Sequence, residues 1–121
     1  MNYIGVDIVE ISRIEEAVTH WGESFMRRIY TESEIRLYGD RPSSLAARFA
    51  GKEAVIKALG NLKAGVSLRD IEILAEPGGK PLVQLYGKAR SQADLLGLGR
   101  FAISLSHSRE YAIAFVIGET K

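Results

Sequence analysis

The sequence contains no cysteine. This absence excludes disulfide bonds, thiolate nucleophiles and zinc sites with cysteine ligands, and it is typical of proteins from a reducing compartment. Long hydrophobic runs are also missing, so no segment is predicted to span a membrane. Asp7 interrupts the first apolar segment too early for a signal peptide. We therefore expect a cytoplasmic protein that does not enter the membrane.

The chain also lacks a strong charge of either sign. Sixteen Lys and Arg residues against fifteen Asp and Glu residues leave a net charge of +1. This balance argues against nucleic acid as a partner and leaves local patches as the basis of any electrostatic recognition. The 121 residues fit a single domain over positions 1–121, and a hydrophobic content of 46% is that of an ordinary globular protein.

The first half of the chain is predicted to be mainly helical after one short strand. Residues 3–9 are rich in strand-forming residues, although Asp7 interrupts them. Ser12-Arg13-Ile14-Glu15 matches a capping box and Gly22 a stop signal, so we expect a helix between them. The capping pattern recurs at residues 31–34, before a helix that should end at Gly39. A longer helix over residues 48–59 should end at Gly60.

The second half of the chain is predicted to consist mainly of strands. A loop over residues 61–65 should lead into a hairpin, with strands at 71–73 and 82–86 around a glycine- and proline-rich turn. A helix over 88–96 should precede two strands, at 101–107 and 111–117. This order predicts an α+β domain with a mainly antiparallel sheet. The exposed edges of such a sheet are often covered by oligomerisation.

The long helix carries a carboxylate in an unusual setting. At 3.6 residues per turn, Glu53 falls on one arc with Phe49 and Ile56, which predicts an acid among apolar, core-facing neighbours. Lys57 lies one turn further on, at the flank of that arc. An acid bracketed by cations indicates a metal or phosphate site. An ordinary surface ion pair between Glu53 and Lys57 is the alternative interpretation.

Two residues near the N-terminus are further candidates. Asp7 is either a carboxylate held rigidly at a strand end, as a metal ligand would be, or a simple turn aspartate. Arg13 near the start of the first predicted helix opposes the helix dipole, a small cost that the acid of a partner could offset. A solvated arginine is the alternative for Arg13.

Several other residues could bind anions. Arg48 and Lys52 are predicted to form a cationic ridge on the other flank of the long helix. The hairpin tip at Gly79-Lys80 could bring backbone N–H groups close to an anion, or could be an ordinary turn. His107 lies between Ser106 and Ser108 at a predicted strand end, where it is either a core histidine or an anion ligand.

Two separated segments together resemble the paired signatures of the 4′-phosphopantetheinyl transferases. These are Ile4-Gly5-Val6-Asp7 and Phe49-Ala50-Gly51-Lys52-Glu53-Ala54-Val55-Ile56-Lys57. The element Gly79-Lys80-Pro81 and the segment at 104–112 are similar to the short, trimeric branch of that family, which acts on acyl carrier proteins. Gly51 stands where alanine is frequent in such enzymes, but it faces away from Glu53 on the helix.

The resemblance implies a magnesium-dependent transfer of 4′-phosphopantetheine from coenzyme A to a serine of an apo acyl carrier protein. The by-product would be adenosine 3′,5′-bisphosphate, and the reaction would support fatty acid biosynthesis. By this resemblance Asp7 and Glu53 hold Mg²⁺, and Lys57 stabilises or protonates the leaving phosphate. Either Glu53 or a metal-bound water takes the serine proton, and the sequence leaves both routes open.

The resemblance also implies where the two substrates bind. Arg13 and Arg28 match basic positions that dock the acidic helix of the carrier protein. The cofactor would lie between subunits of a homotrimer. The residues implied for coenzyme A binding are Arg48, Lys52, Gly79, Lys80, Pro81, Ser106 and His107.

Two other classes of function remain as alternatives. One is a non-catalytic anion- or nucleic-acid-binding domain that uses Arg27, Arg28, Arg48 and Lys52; near-neutral charge and few nearby aromatic residues count against it. The other is a small metal-dependent phosphohydrolase that uses Asp7 and Glu53. Such an enzyme would release phosphate from nucleotides without any carrier protein.

Overall fold

A computed structural model describes residues 3–60 and 65–121, so most of the predicted loop at 61–65 lies outside the described residues. The α+β class is confirmed. The elements, in chain order, are β1 (Tyr3–Glu10), α1 (Ile11–Trp21), α2 (Glu23–Ile29), α3 (Glu32–Tyr38), α4 (Pro42–Leu59), a 3₁₀ turn (Leu68–Asp70), β2 (Ile71–Ala75), β3 (Pro81–Leu85), α5 (Gly87–Leu95), β4 (Leu98–His107) and β5 (Tyr111–Thr120).

The strands form two antiparallel sheets. The larger sheet has the order β1-β5-β4, and its register places Asp7 of β1 beside Ala114 of β5. The smaller sheet is the predicted hairpin of β2 and β3, in which Ile73 pairs with Val83. Within the described residues, no helix is both long enough and apolar enough to cross a membrane.

Helix α4 is the centre of the core and packs on one face of the larger sheet. Its buried residues are mostly small, and so are the β5 residues that face it, such as Ala112 and Ala114. Small side chains on both surfaces allow the helix and the sheet to approach closely. The α4 helix therefore packs closely on β1 and β5, and functional groups on β1 and α4 can meet.

The opposite face of the same sheet carries large apolar side chains that are exposed. They are Ile4, Val6 and Ile8 from β1, and Tyr111, Ile113, Phe115 and Ile117 from β5. Burial alternates along β5, and the buried half of the strand is the half with small residues. The larger residues are left on the open face of the sheet, uncovered within a single chain.

The helix boundaries confirm some sequence predictions and correct others. The capping box at Thr31 and Glu34 is present, and α4 ends at Gly60 in the left-handed conformation, as predicted. The predicted capping box at Ser12 is wrong, because α1 begins at Ile11 directly after β1 and has no side-chain cap. The strand continues to Glu10, and the Ile11 N–H then donates to the carbonyl of Glu110 at 2.8 Å.

Candidate active site

The site forms where the middle of β1 meets the second half of α4. Asp7 lies on the face of β1 that points toward the helix, and its side chain is mostly buried. The Lys57 ammonium donates to Asp7 Oδ1 at 3.1 Å and to the carbonyl oxygen of Val6 at 3.1 Å. Lys57 remains half exposed. The ion pair between Lys57 and Asp7 joins α4 to β1. Lys57 is therefore paired with Asp7 and not with Glu53, the partner that the alternative interpretation predicted.

Glu53 is half-buried beside this pair. Burial raises the pKa of the Glu53 carboxyl, and the negative charge of Asp7 raises the pKa further, while the Lys57 cation acts in the opposite direction. The arc that carries Phe49, Glu53 and Ile56 was predicted to face the core. It is instead the half-buried stripe of a helix whose other faces are covered almost completely. Glu53 can therefore reach a ligand from solvent.

A groove of about 390 Å³ opens over these residues. Asp7 and Glu53 lie at one side, Arg13 from α1 lies at another, and Phe25 and Phe49 supply apolar walls. A neighbouring hollow of about 290 Å³ is lined by Trp21, Ser24, Phe25 and Arg28. Arg13 and Arg28 thus lie on adjoining surfaces of α1 and α2, beside the acidic pair. Phe25 was not recognised as a candidate from the sequence, since a single apolar residue there carries no specific signal.

The donor set fits a magnesium ion. Asp7 and Glu53 both line the groove, and the negative charge of Asp7 adds to the effect of burial in raising the pKa of the Glu53 carboxyl. A cation between the two carboxylates would offset their repulsion. Mg²⁺ is commonly held by one or two carboxylates together with substrate phosphate and water. Among the described residues, no group of three or more His, Asp or Glu side chains surrounds a common point. Asp7 and Glu53 therefore suit an ion whose remaining coordination positions are filled by substrate and water.

The predicted cationic ridge of Arg48 and Lys52 is wrong, because both side chains are buried beneath the hairpin. The Lys52 ammonium donates to Glu34 Oε1 at 2.6 Å, to the carbonyl of Leu68 at 3.1 Å and to the carbonyl of Ile71. These three partners use all its donors. Lys52 thus has no free donor for a phosphate group.

Arg48 has a similar structural position. Its Nε donates to the carbonyl of Ile73 at 3.0 Å, and its guanidinium lies 3.6 Å from the centre of the Tyr38 ring. Glu34, which from the sequence was only a capping residue, also accepts from the Ile73 N–H at 2.8 Å. Helical spacing could not reveal this network, since most of its acceptors lie outside α4, on α3, on β2 and on the 3₁₀ turn before β2.

The remaining predicted anion ligands lie outside the groove, and all of them except the half-buried Pro81 are exposed. Gly79 and Lys80 lie in the turn between β2 and β3, and Pro81 begins β3. Ser106 and His107 lie at the end of β4, where His107 pairs with Ala112 of β5. The residues that line the groove do not include any of these five.

Known proteins resemble this chain over its whole length. Residues 3–116 match the 4′-phosphopantetheinyl transferase superfamily. A holo-[acyl-carrier-protein] synthase from Dehalococcoides mccartyi (strain CBDB1) is 54% identical over 98% of this chain and 99% of its own. Another, from Herpetosiphon aurantiacus, is 48% identical over 94% of this chain and 95% of its own.

Solved structures agree with these sequence matches. The crystal structure of Helicobacter pylori holo-[acyl-carrier-protein] synthase in complex with coenzyme A is similar, with a TM-score of 0.86, 38% identity, and coverage of 96% of this chain and 99% of that one. The enzyme from Neisseria meningitidis gives a TM-score of 0.87 at 34% identity and covers 99% of this chain and 100% of that one. The chain belongs to the 4′-phosphopantetheinyl transferase superfamily and is, within it, a holo-[acyl-carrier-protein] synthase.

Proposed function

We propose that this enzyme transfers 4′-phosphopantetheine from coenzyme A to a serine of an apo acyl carrier protein and releases adenosine 3′,5′-bisphosphate. The observation that carries the proposal is the groove lined by Asp7, Glu53 and Arg13, with Lys57 paired to Asp7 at 3.1 Å. In the reaction the serine oxygen forms a bond to the β-phosphorus of coenzyme A. The bond from that phosphorus to the bridging oxygen breaks, and the serine proton must leave.

Asp7 and Glu53 are the residues that would hold Mg²⁺. The ion, when bound, supplies positive charge to the pyrophosphate oxygens and thereby lowers the cost of the charge that develops during phosphoryl transfer. Lys57 is held at Asp7 and is still half exposed, so its ammonium can hydrogen-bond to the leaving phosphate or donate a proton to it. Glu53 lines the groove and is our candidate to accept the serine proton.

The surface beside this groove suits an acidic partner. Arg13 and Arg28 lie on α1 and α2 around the apolar side chains of Trp21 and Phe25. We propose that these two arginines dock the acidic helix of the carrier protein and present its serine to Glu53. Exposed charges of this kind affect the association rate and the salt dependence of binding more than the chemical step.

Coenzyme A would bind partly through residues of a neighbouring subunit. The candidates that lie outside the buried network are Gly79, Lys80, Pro81, Ser106 and His107. The side chains of Arg48 and Lys52 are instead hydrogen-bonded beneath the hairpin. The apolar face formed by β1 and β5 supports a homotrimer, since exposed patches of this kind usually mark interfaces. Such an assembly would bring the β4 end of one subunit near the groove of another. We also propose a cytoplasmic location and a role in fatty acid biosynthesis.

The test is a transfer assay in which the purified protein is mixed with coenzyme A, Mg²⁺ and an apo carrier protein, and the carrier is weighed. We expect a mass gain of one phosphopantetheine group, lost on chelation and in Glu53→Gln or Asp7→Asn. Release of phosphate from nucleotides without a carrier would instead support a phosphohydrolase. No mass gain with several different carriers would contradict the proposal.

The same assay tests the docking surface. Arg13→Glu should raise the KM for the carrier roughly tenfold or more and leave the KM for coenzyme A nearly unchanged. Arg90→Glu on α5 is the matched control, since this arginine is exposed and lies outside both hollows at α1 and α2. An equal rise of both KM values in Arg13→Glu would place Arg13 in the coenzyme A site instead.

A further inference from the structure

Strand β1 and helix α4 come closer together at Gly5 than any side chain would allow. A Cβ atom at position 5 would lie 1.8 Å from the carbonyl oxygen of Ala54 and 3.1 Å from the backbone nitrogen of Ala58. Both are backbone atoms of α4, so a change of side-chain rotamer cannot relieve the overlap. The approach of the two elements therefore requires glycine at position 5.

This contact lies beside both carboxylates of the site. Gly5 is two residues before Asp7, and the two share the face of β1 that points toward α4. Ala54 follows Glu53 directly in the helix. The Gly5 contact thus fixes the distance between strand and helix within two residues of each carboxylate. Lys57 joins the same two elements on the far side of Asp7, through Asp7 Oδ1 and the Val6 carbonyl.

Gly51, a buried glycine of α4 itself, has a different role. A Cβ atom at Gly51 would meet the side-chain ends of Ile73 at 2.5 Å, Ile103 at 3.2 Å and Leu105 at 3.5 Å. These are methyl groups of β2 and β4, which can shift by rotation of their side chains. A larger side chain at position 51 would therefore crowd β2 and β4 without directly changing the distance between β1 and α4. It serves as a matched control.

We propose that Gly5 is a positioning residue, which sets the separation of Asp7 and Glu53 that a divalent cation requires. This inference rests on the proposed assignment of Mg²⁺ to those two carboxylates. Real Cβ atoms keep at least about 3.0 Å, so an added methyl group would displace β1 from α4 by about 1.2 Å. Mg²⁺ requires near-ideal octahedral geometry at short distances, and designed sites already fail when their ligands move by about 0.5–1 Å.

The test measures cation binding and needs no turnover. Mn²⁺ is titrated into the protein with saturating coenzyme A and no carrier, and free Mn²⁺ is followed by electron paramagnetic resonance. Gly5→Ala should bind Mn²⁺ roughly tenfold to a hundredfold more weakly than the wild type, as found when residues that orient metal ligands are changed. Gly51→Ala should bind it within about twofold of the wild type. Coenzyme A affinity without metal, measured in parallel, should stay nearly the same in both variants.

A second variant guards against loss of the fold in Gly5→Ala. Ala114 is buried in the core cluster that contains Ala54, and it pairs with Asp7 in the sheet. Ala114→Val should also lift α4 from the sheet at the level of Asp7, and it should weaken Mn²⁺ binding in the same direction. If circular dichroism shows that Gly5→Ala is unfolded, the Mn²⁺ affinity of Ala114→Val tests the proposal in its place.

Two results would contradict the proposal in distinguishable ways. If the wild type binds Mn²⁺, and the folded Gly5→Ala and Ala114→Val variants bind it equally well, the positioning role is wrong and the metal assignment stands. Equal weakening in Gly51→Ala would likewise show a general packing effect. If the wild type itself does not bind Mn²⁺ with coenzyme A present, the metal assignment in the proposed function is wrong, and the positioning role with it.

Discussion

The surroundings of Glu53 favour the protonated form of its carboxyl group. Burial and the nearby charge of Asp7 both raise the pKa of its carboxyl above the ordinary value of 4.5. The folded state therefore holds this proton more tightly than the unfolded state does. By linkage, the free energy of unfolding falls as pH rises from the ordinary carboxyl pKa up to the raised one. Above the raised pKa the protein carries the full cost of an ionised Glu53.

Glu53→Gln should consequently stabilise the metal-free protein at pH 7.5. The amide keeps the size of the side chain and removes its charge, so we expect the melting temperature to rise by a few degrees in the presence of chelator. The gain should disappear when pH is lowered below the ordinary carboxyl pKa, because the wild-type side chain is then neutral too. Thermal unfolding at both pH values measures this difference.

Glu16→Gln is the control for this comparison, since Glu16 is exposed on α1. It should change the melting temperature little at pH 7.5. A Glu53→Gln variant that is less stable than the wild type at pH 7.5 would show that the carboxylate stabilises the fold and is not held there for function.

At the level of elements, the buried pair of Lys52 and Glu34 links α3, α4 and the hairpin. Burial lowers the pKa of Lys52, while the charge of Glu34 acts in the opposite direction. Glu34 accepts a hydrogen bond from the Ile73 N–H of β2, and Lys52 donates one to the Ile71 carbonyl of the same strand. The pair therefore fixes where the hairpin, with its Gly79-Lys80-Pro81 turn, sits on the helix that carries Glu53.

Lys52→Met should be strongly destabilising, by about 3–5 kcal/mol, because it leaves the Glu34 carboxylate buried without its cation. The double variant Glu34→Gln/Lys52→Met removes both charges and should recover a substantial part of that loss. Urea unfolding of the wild type, the two single variants and the double variant gives the coupling energy. If the double variant loses the sum of both single losses, the two residues do not act as a pair.

At the level of the whole molecule, the open face of the larger sheet is the main unpaired surface in the described part of the chain. Phe115 is 44% exposed at its centre and is flanked on β5 by Ile113 and Ile117. Burial of such side chains against other copies of the chain would provide the driving force for a trimer.

Phe115→Asp should prevent that assembly, because it would place a charge in the apolar contact without a partner. We expect sedimentation to show trimers for the wild type and monomers for the variant, with transfer activity lost as well. Leu95→Glu is the control: Leu95 is 83% exposed on α5, away from this face, and its change should leave the mass unaffected. A monomeric, active wild type would contradict the trimer.

Sequence patterns predicted the order of most elements, the hairpin and the second capping box, and they gave Asp7, Glu53 and Lys57 as candidate site residues. These features depend on local patterns, or on two motifs whose pairing is specific. Neither the burial of Arg48 and Lys52 nor the start of α1 followed from local spacing, because contacts with β2 and with Glu110 decide them.

Only the tertiary structure showed why the small residues face inward. Large side chains on β5 predict a buried face, yet the core accepts Ala112 and Ala114 because α4 lies so close to the sheet. Gly5 permits that approach two residues before Asp7 in β1. Sequence patterns therefore predicted Asp7, Glu53 and Lys57 as the candidate groups of the site. How far apart these groups lie depends on the packing of α4 on β1, since that distance is set by backbone contacts between residues far apart in the chain.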